Sequence, residues 1–420
     1  MKIDAAVETR RMGELERLFN FLHRRGSLVA VLALHIRGPL DHDQVRRALD
    51  LLQQAVPMLR VHVRASGFTL RPGVPYFAVE RDLVTEGTTA IPFDEVKGDW
   101  RSAMTRAFAT PLPDGKSPRL RVALVGADGD GVSRLIITAD HAICDAPAFL
   151  GIAGLLLGFL ADPTKVPIAA RGLPPSLESR HAARARSPRP WEPSIRLPVR
   201  HARGGGETAI EERRLTVAET TTMRDAARRN RTSVHGTVGA ALLGAVRDFY
   251  GVDAMSLLSS FEFRRLCQPP VPPEAVGCYA DALRTSHRLD TPFWDLARDI
   301  AFKLVTVAGD RVGASILKLP SLRVALHEAP RLLASGFRVD GVALTTGGDT
   351  RLQRKHGPLI LEDVTMGLSM HGLGTGLFLT GLEHQGTHKL MIAYAPRAVP
   401  TADIVAIADR TLARLRDLPA

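Results

Sequence analysis

Two apolar runs, separated by one short polar turn, constrain this chain more than any other stretch of it. Arg134-Leu135-Ile136-Ile137-Thr138-Ala139 reads as a buried strand, and Ala146 to Ala161 holds sixteen residues without a charge. Between them stands Asp140-His141-Ala142-Ile143-Cys144-Asp145-Ala146. Pro147 suits a first helical turn and Asp145 suits the cap in front of it, so the second run is expected to be a helix. It is shorter than the ~20 residues a membrane span needs. It also carries Gly151, Gly154 and Gly158, so a buried core helix is expected and not a transmembrane span. A histidine thus sits where a buried strand hands over to a buried helix.

At 420 residues the chain exceeds what one core usually supports. Pro163 to Glu207 is rich in Pro, Arg, Ser and Gly and ends in Gly204-Gly205-Gly206, which reads as a linker. The expected organisation is therefore a first half at 1–165, a linker at 166–207 and a second half at 208–420. In the first half, strands are expected at Ser27–Arg37, Leu59–Val63, Tyr76–Glu80, Leu120–Gly126 and Arg134–Ala139. A helix opens after Asp41, with Val45, Ala48, Leu49 and Leu52 on one face, and another lies near Trp100–Phe108. The second half is expected to place strands at Glu211–Val217, Met255–Phe263, Val342–Thr345, Ile360–Thr365, Gly376–Glu383 and Lys389–Ala395, ending as a meander. Helices are expected at Glu219–Arg229, Ser233–Tyr250, Thr291–Val307, Arg331–Ser335 and Thr401–Leu415. This order suggests an α/β (α+β) sandwich and not a regular βαβ repeat.

Formal charge of +11 favours anionic partners: a phosphorylated cofactor, an acidic carrier protein or a membrane surface. Nucleic acid is disfavoured, because aromatics are 5% of the chain and no reader motif is present. The arginines of Arg180 to Arg203 could meet an anionic partner, but a solvated crossover is the favoured reading. Three cysteines, Cys144, Cys267 and Cys278, show neither a disulfide framework nor a C-x-x-C metal pattern. That suits a reducing cytoplasm and no metal. No signal-like apolar core opens the chain.

Of fourteen histidines, His141 alone has an aspartate four residues on. With aspartate at roughly one residue in twenty, chance supplies about one such pair, so the spacing alone is equally well a core histidine beside a helix cap. Its placement adds the chemistry. A neutral imidazole at a strand end, with an unperturbed pKa of about 6.5, can take a proton from an attacking alcohol or amine. Asp145 then has two open roles: orienting the imidazole, or pairing with an arginine to fix the loop. No G-x-S-x-G elbow is present. Cys144 lies among Ala142, Ile143 and Ala146, where burial leaves a thiol inert. Gly372 to Gly376 is glycine-rich but leads into no helix, so it is not a phosphate cradle.

The Asp140–Ala146 segment resembles the HHxxxDG motif of the chloramphenicol acetyltransferase-like superfamily. That group includes nonribosomal-peptide condensation domains, polyketide-associated acyltransferases, wax ester synthases and plant BAHD acyltransferases. Other stretches are similar in the same order. Leu40–Leu52 followed by Pro57-Met58-Leu59-Arg60 resembles the early helix and "hP-LR" strand. Pro111-Leu112 with Ser117-Pro118-Arg119-Leu120-Arg121-Val122 resembles "pl…gPlLRv", and Thr232–Val246 resembles the core helix of the second half. Phe261-Glu262-Phe263-Arg264-Arg265-Leu266 with Pro272 to Tyr279 resembles "vdlR…p…lGNy", and Thr345-Thr346-Gly347-Gly348 stands where "SNlG" is usual. Asp140 replaces the first histidine, Ala146 the glycine and Cys278 the asparagine, and the BAHD DFGWG segment is absent.

The resemblance implies two chloramphenicol acetyltransferase-like domains forming a V with a channel between them. It implies His141 as general base and a structural Asp145–Arg264 salt bridge. It further implies an acyltransferase that moves an acyl group from a coenzyme A or carrier-protein thioester to a hydroxyl, or an amine, of a lipid or polyketide-type product. Acyl-CoA or an acyl-phosphopantetheine carrier protein is then the donor substrate, with no cofactor bound permanently and a monomer expected. Ser259, Ser260, Thr346 and Ser369 are open candidates for the oxyanion donor. The other readings are a non-catalytic condensation-fold protein that binds a carrier protein, and a cyclase or dehydratase working in the same channel.

Overall fold

The computed structural model describes residues 8–24, 26–69, 78–127, 129–165, 167, 172–180, 197, 207–273, 275–309, 338–370 and 374–419. The chain forms two compact units. The first comprises Met1–Ala182, Arg264–Tyr279 and Leu352–Thr365, and the second the remainder. Both are discontinuous in sequence, where three contiguous blocks at 1–165, 166–207 and 208–420 were expected. Two segments from beyond residue 208 belong to the first unit, and one of them carries Arg264. Most of the expected linker and the helix expected at Arg331–Ser335 lie outside the described residues.

The first unit opens with β1 (Thr9–Arg11) and α1 (Glu14–His23), followed by β2 (Ser27–Arg37) and α2 (His42–Ala55). In α1, Leu15, Leu18, Phe19 and Leu22 are buried together with Glu16, Asn20 and His23, a polar stripe inside an apolar face. Gly38, at φ +127°, turns the chain out of β2; a Cβ there would lie 2.8 Å from the Pro358 carbonyl. Asp41 caps α2 by accepting the Gln44 N–H at 2.8 Å, and Val45, Ala48, Leu49 and Leu52 form its buried face as their spacing requires. Each such leucine contributes about 2 kcal/mol on burial. A 3-10 turn at Pro57–Leu59 delays the strand expected from Leu59, because Pro57 starts a turn here and does not merely end the helix. Then follow β3 (His62–Thr69), β4 (Ala78–Val84), β5 (Phe93–Val96), α3 (Trp100–Ala109), β6 (Leu120–Val125), β7 (Val132–Asp140), α4 (Ala146–Ala161) and the short α5 (Leu177–Arg180).

The second unit begins with β8 (Ala209–Leu215), α6 (Val217–Arg229), α7 (Val234–Tyr250), β9 (Ala254–Glu262), β10 (Ala280–Arg288) and α8 (Phe293–Gly309). Beyond it come β11 (Arg338–Asp349), β12 (Lys355–His356), β13 (Leu359–Met370), β14 (Gly374–His384), β15 (Thr387–Tyr394) and α9 (Thr401–Arg416). The main sheet of the first unit runs β12-β13-β2-β7-β6-β5, with a smaller sheet β1-β4-β3 beside it. The sheet of the second unit runs β10-β9-β11-β14-β15-β8. The expected terminal meander is therefore only the β14–β15 hairpin, since β13 joins β2 in the other sheet.

Strand β7 is central to its sheet and buried at every position, which explains its unbroken apolar run. Helix α4 follows it with Ala148, Phe149, Ile152, Ala153, Leu156, Leu157, Phe159 and Leu160 buried, a core helix. Among the described residues no helix is long and apolar enough to cross a membrane. In the second unit α7 is buried continuously from Gly236 to Val246 and packs with Leu257, Leu344, Leu379, Ile392 and Ile404 in one core.

Candidate active site

Asp140 ends β7, His141 to Ile143 form a turn, and Asp145 caps α4 by accepting the Ala148 N–H at 3.0 Å. The turn is held at both ends by a carboxylate. At its far end, Asp145 is buried and accepts from Arg264 Nη2 at 2.7 Å and from the Tyr279 N–H at 2.9 Å. The Asp145 N–H in turn donates to the Gly277 carbonyl at 3.2 Å. Arg264 also donates to the carbonyls of Pro272 at 3.1 Å and Ala275 at 2.8 Å, and its guanidinium lies 4.9 Å from the centre of the Tyr279 ring. Gly277 has no room for a side chain: a Cβ would lie 2.6 Å from the Tyr279 ring. Asp145 therefore meets an arginine and a helix end, the second of its two open roles.

His141 is partly buried between Phe19 and Cys278. The Phe19 ring meets the imidazole edge-on at 4.7 Å between centroids, and the Cys278 sulfur lies 3.9 Å from Nδ1. Burial lowers the imidazole pKa below its ordinary 6.5, against a hydrogen bond to its own backbone and the charges of Asp145 and Asp140, which raise it. The ring is thus neutral at physiological pH, the form that accepts a proton. Burial pushes the Cys144 thiol well above its ordinary range, as expected for an inert cysteine.

At the near end of the turn stands a cluster that sequence reasoning missed. Asp140 accepts from Asn20 Nδ2 at 2.7 Å, from Arg119 Nη2 at 2.8 Å and Nε at 3.2 Å, and from the Ala142 N–H at 3.0 Å. Burial alone would raise its carboxyl pKa, but Arg119 and these donors, joined by His23 once that ring is protonated, hold it well below the carboxylate range. His23 is fully buried and its pKa is lowered to about 4, chiefly by burial. Its Nε2 accepts the Leu112 N–H at 2.8 Å, which requires the neutral ring with its proton on Nδ1. Asn20, His23 and Phe19 all project from α1. The only signal for them was the buried period of Glu14–His23, a pattern that does not distinguish a polar core residue from a surface one.

The four oxyanion candidates, Ser259, Ser260, Thr346 and Ser369, all belong to the second unit. There two of them meet a second missed residue, His235, in the first turn of α7. Its Nδ1 bonds the Thr346 hydroxyl and its Nε2 the Ser259 hydroxyl, both at 2.9 Å. Burial lowers the His235 pKa to about 4. A neutral ring donates at one nitrogen and accepts at the other, so one of these hydroxyls keeps its own proton for another acceptor. Ser260 bonds the Thr345 hydroxyl, and Ser369 is buried in β13. Among the described residues no three His, Cys, Asp or Glu side chains are grouped to hold a metal ion.

The fold has counterparts among known proteins. Residues 205–335 match the family model described as phthiocerol/phthiodiolone dimycocerosyl transferase C-terminus. Polyketide synthase associated protein 5 from Mycobacterium tuberculosis has a similar structure, with a TM-score of 0.66 at 18% identity over 98% of this chain and 99% of that one. The TRI3 trichothecene 15-O-acetyltransferase from Fusarium sporotrichioides matches with a TM-score of 0.69 at 12% identity over 98% of this chain and 95% of that one. The first condensation domain of the CDA synthetase matches with a TM-score of 0.70 at 17% identity over 98% of this chain and 97% of that one. No curated protein matches by sequence. The fold is that of the condensation-type, chloramphenicol acetyltransferase-like proteins. Residues 205–335 are what the polyketide-associated family model matches. The matched stretch includes Arg264, Cys278 and His235 but stops short of His141 and Asp145.

Proposed function

We propose that the protein is an acyltransferase in which His141 is the general base, carrying an acyl group from a thioester to a hydroxyl, or an amine, of a lipid or polyketide-type product. The observation that carries this reading is the neutral imidazole in a turn fixed at both ends by buried carboxylates. With Nδ1 turned toward the Cys278 sulfur, Nε2 is the nitrogen that takes the proton. The hydroxyl oxygen attacks the thioester carbonyl as its proton passes to Nε2. The tetrahedral intermediate then collapses, the carbon–sulfur bond breaks, and the imidazolium returns the proton to the departing thiolate. A lowered pKa makes the imidazolium a ready acid for that return. Asp145 and Arg264 hold the turn and take no proton.

The names of the similar proteins agree with this chemistry: one is an O-acetyltransferase, one is polyketide-synthase associated, and the matched family is a transferase. The net charge of +11 suits the phosphates of coenzyme A or the acidic face of a carrier protein as donor. The test is His141→Ala, assayed by thiol release from acyl-CoA donors with a long-chain alcohol as acceptor. Turnover is expected to fall by about 10²- to 10⁴-fold at unchanged melting temperature. Undiminished transfer would remove His141 as the base, and no transfer by the unaltered protein would leave the non-catalytic, carrier-binding reading.

A further inference from the structure

Arg119 and Arg264 head the fully buried side chains by size among the described residues, and each pairs with one of the two aspartates that bracket His141. Asp145–Arg264 is the pair that the resemblance implies. Asp140–Arg119 is not: Asp140 stands where the first histidine is usual, and Arg119 stands at the apolar position of "gPlLRv". Two departures from the family pattern therefore meet in one ion pair with both partners out of solvent. A lone charge at either position would carry a heavy desolvation cost, so each departure is stabilised by the other.

The pair reaches the turn directly. Asp140 Oδ1 accepts the Ala142 N–H, and its backbone carbonyl accepts the Ile143 N–H at 3.0 Å, so the residue before His141 fixes both residues after it. Oδ2 collects Asn20 and Arg119. Arg119 Nη1 donates on to the Pro113 carbonyl at 2.8 Å, and the Arg119 carbonyl accepts the Asp140 N–H at 3.1 Å. The Asn20 contact also sets α1, whose adjacent Phe19 forms one wall of the imidazole site. One carboxylate thus governs the path of the turn and the position of the ring's neighbour.

We propose that, with His141 as the base, Asp140 is a positioning residue: through Arg119 and Asn20 it sets the orientation of the His141 ring, and it touches no substrate. Asp140→Asn keeps the shape and removes the charge. With acyl-CoA donors and decanol, kcat per folded molecule is expected to fall about 10- to 100-fold with KM unchanged, as for a displaced reacting group. On a His141→Ala background the same substitution is expected to leave the residual rate unchanged, because no base remains to be oriented. Should Asp140→Asn fail to fold, Asn20→Ala removes one donor and leaves the ion pair, and a loss in kcat without a change in KM is again expected. Full kcat in the folded variant while His141→Ala is inactive overturns the proposal and leaves the base in place, as does an equal loss on both backgrounds. Full turnover by His141→Ala overturns both.

Discussion

The two units hold their main polar clusters by different means. The first buries charge: Asp140 with Arg119 and Asp145 with Arg264, each pair out of solvent at hydrogen-bond distance. The second carries a neutral cluster, His235 between Ser259 and Thr346 and Ser260 on Thr345, while an ion pair such as Lys389 with Glu212 keeps some exposure. Charge is costly to bury, so it is expected only where directionality is worth the cost. A carboxylate facing a guanidinium accepts several directed bonds and fixes a turn that has no ladder of its own. Strands β9 and β11 are already fixed by their ladder, so hydroxyls and an uncharged ring suffice beside them.

The contrast is broken most directly at Arg264. Arg264→Leu leaves Asp145 buried without its partner and is expected to cost about 3–5 kcal/mol, read by urea denaturation. A loss below about 1 kcal/mol would show that the pair does not anchor the turn. Asp145→Asn follows the same logic: stability falls, and turnover per folded molecule stays within about tenfold if the role is structural. A large loss of turnover at unchanged melting would assign Asp145 to orienting the imidazole instead.

Acid sharpens the comparison next. His23 in the first unit, and His235 and His388 in the second, have folded pKa values lowered to about 4 by burial. The unfolded chain, with its histidines near 6.5, binds more protons between those values. Stability is therefore complete above about pH 6.5, falls as pH drops, and stops falling from this source near pH 4, with a contribution on the order of 3 kcal/mol per histidine. His141 and His62 add groups of the same sign to the first unit, so both units are expected to loosen over this range. Variants retaining only Trp100, in the first unit, or only Trp294, in the second, report each by fluorescence. Simultaneous loss at both probes would show that the units unfold as one.

Turnover supplies a finer measure. The acid limb of kcat/KM is expected below pH 6.5, because burial lowers the His141 pKa and the neutral base persists to lower pH. A midpoint at or above 6.5 contradicts the neutral, buried base. The smallest effect belongs to the neutral cluster: Ser259→Ala removes one hydrogen bond to His235 and is expected to cost about 1 kcal/mol by thermal melting. A cost equal to that of Arg264→Leu would erase the distinction between the two units.

Much of this was legible in the residues. The apolar runs on either side of His141 marked β7 and α4, Asp41 and Asp145 marked helix starts, and the spacing of Val45, Ala48, Leu49 and Leu52 marked a buried face. Local sequence carries such features because caps and periodicity are set within a few residues. Arg264 was reachable only through the resemblance, since it lies 119 positions beyond Asp145 with no local signal linking them. Helix α1, strand β10 and His235 were not reached. A polar side chain inside an apolar stripe looks the same in one dimension whether it faces water or a buried partner.

By itself, then, the sequence determined the secondary structure around His141, the neutrality of the long apolar helix and the presence of two half-chains' worth of core. Only the tertiary structure decided which charges are buried together, because burial and pairing depend on distances between residues far apart in the chain. That is why the Asp140–His141–Asp145 turn reads locally as a strand end and a helix cap. Its confinement between Arg119 and Arg264 follows from the folded arrangement of β6, β7, α1 and the Arg264–Tyr279 segment.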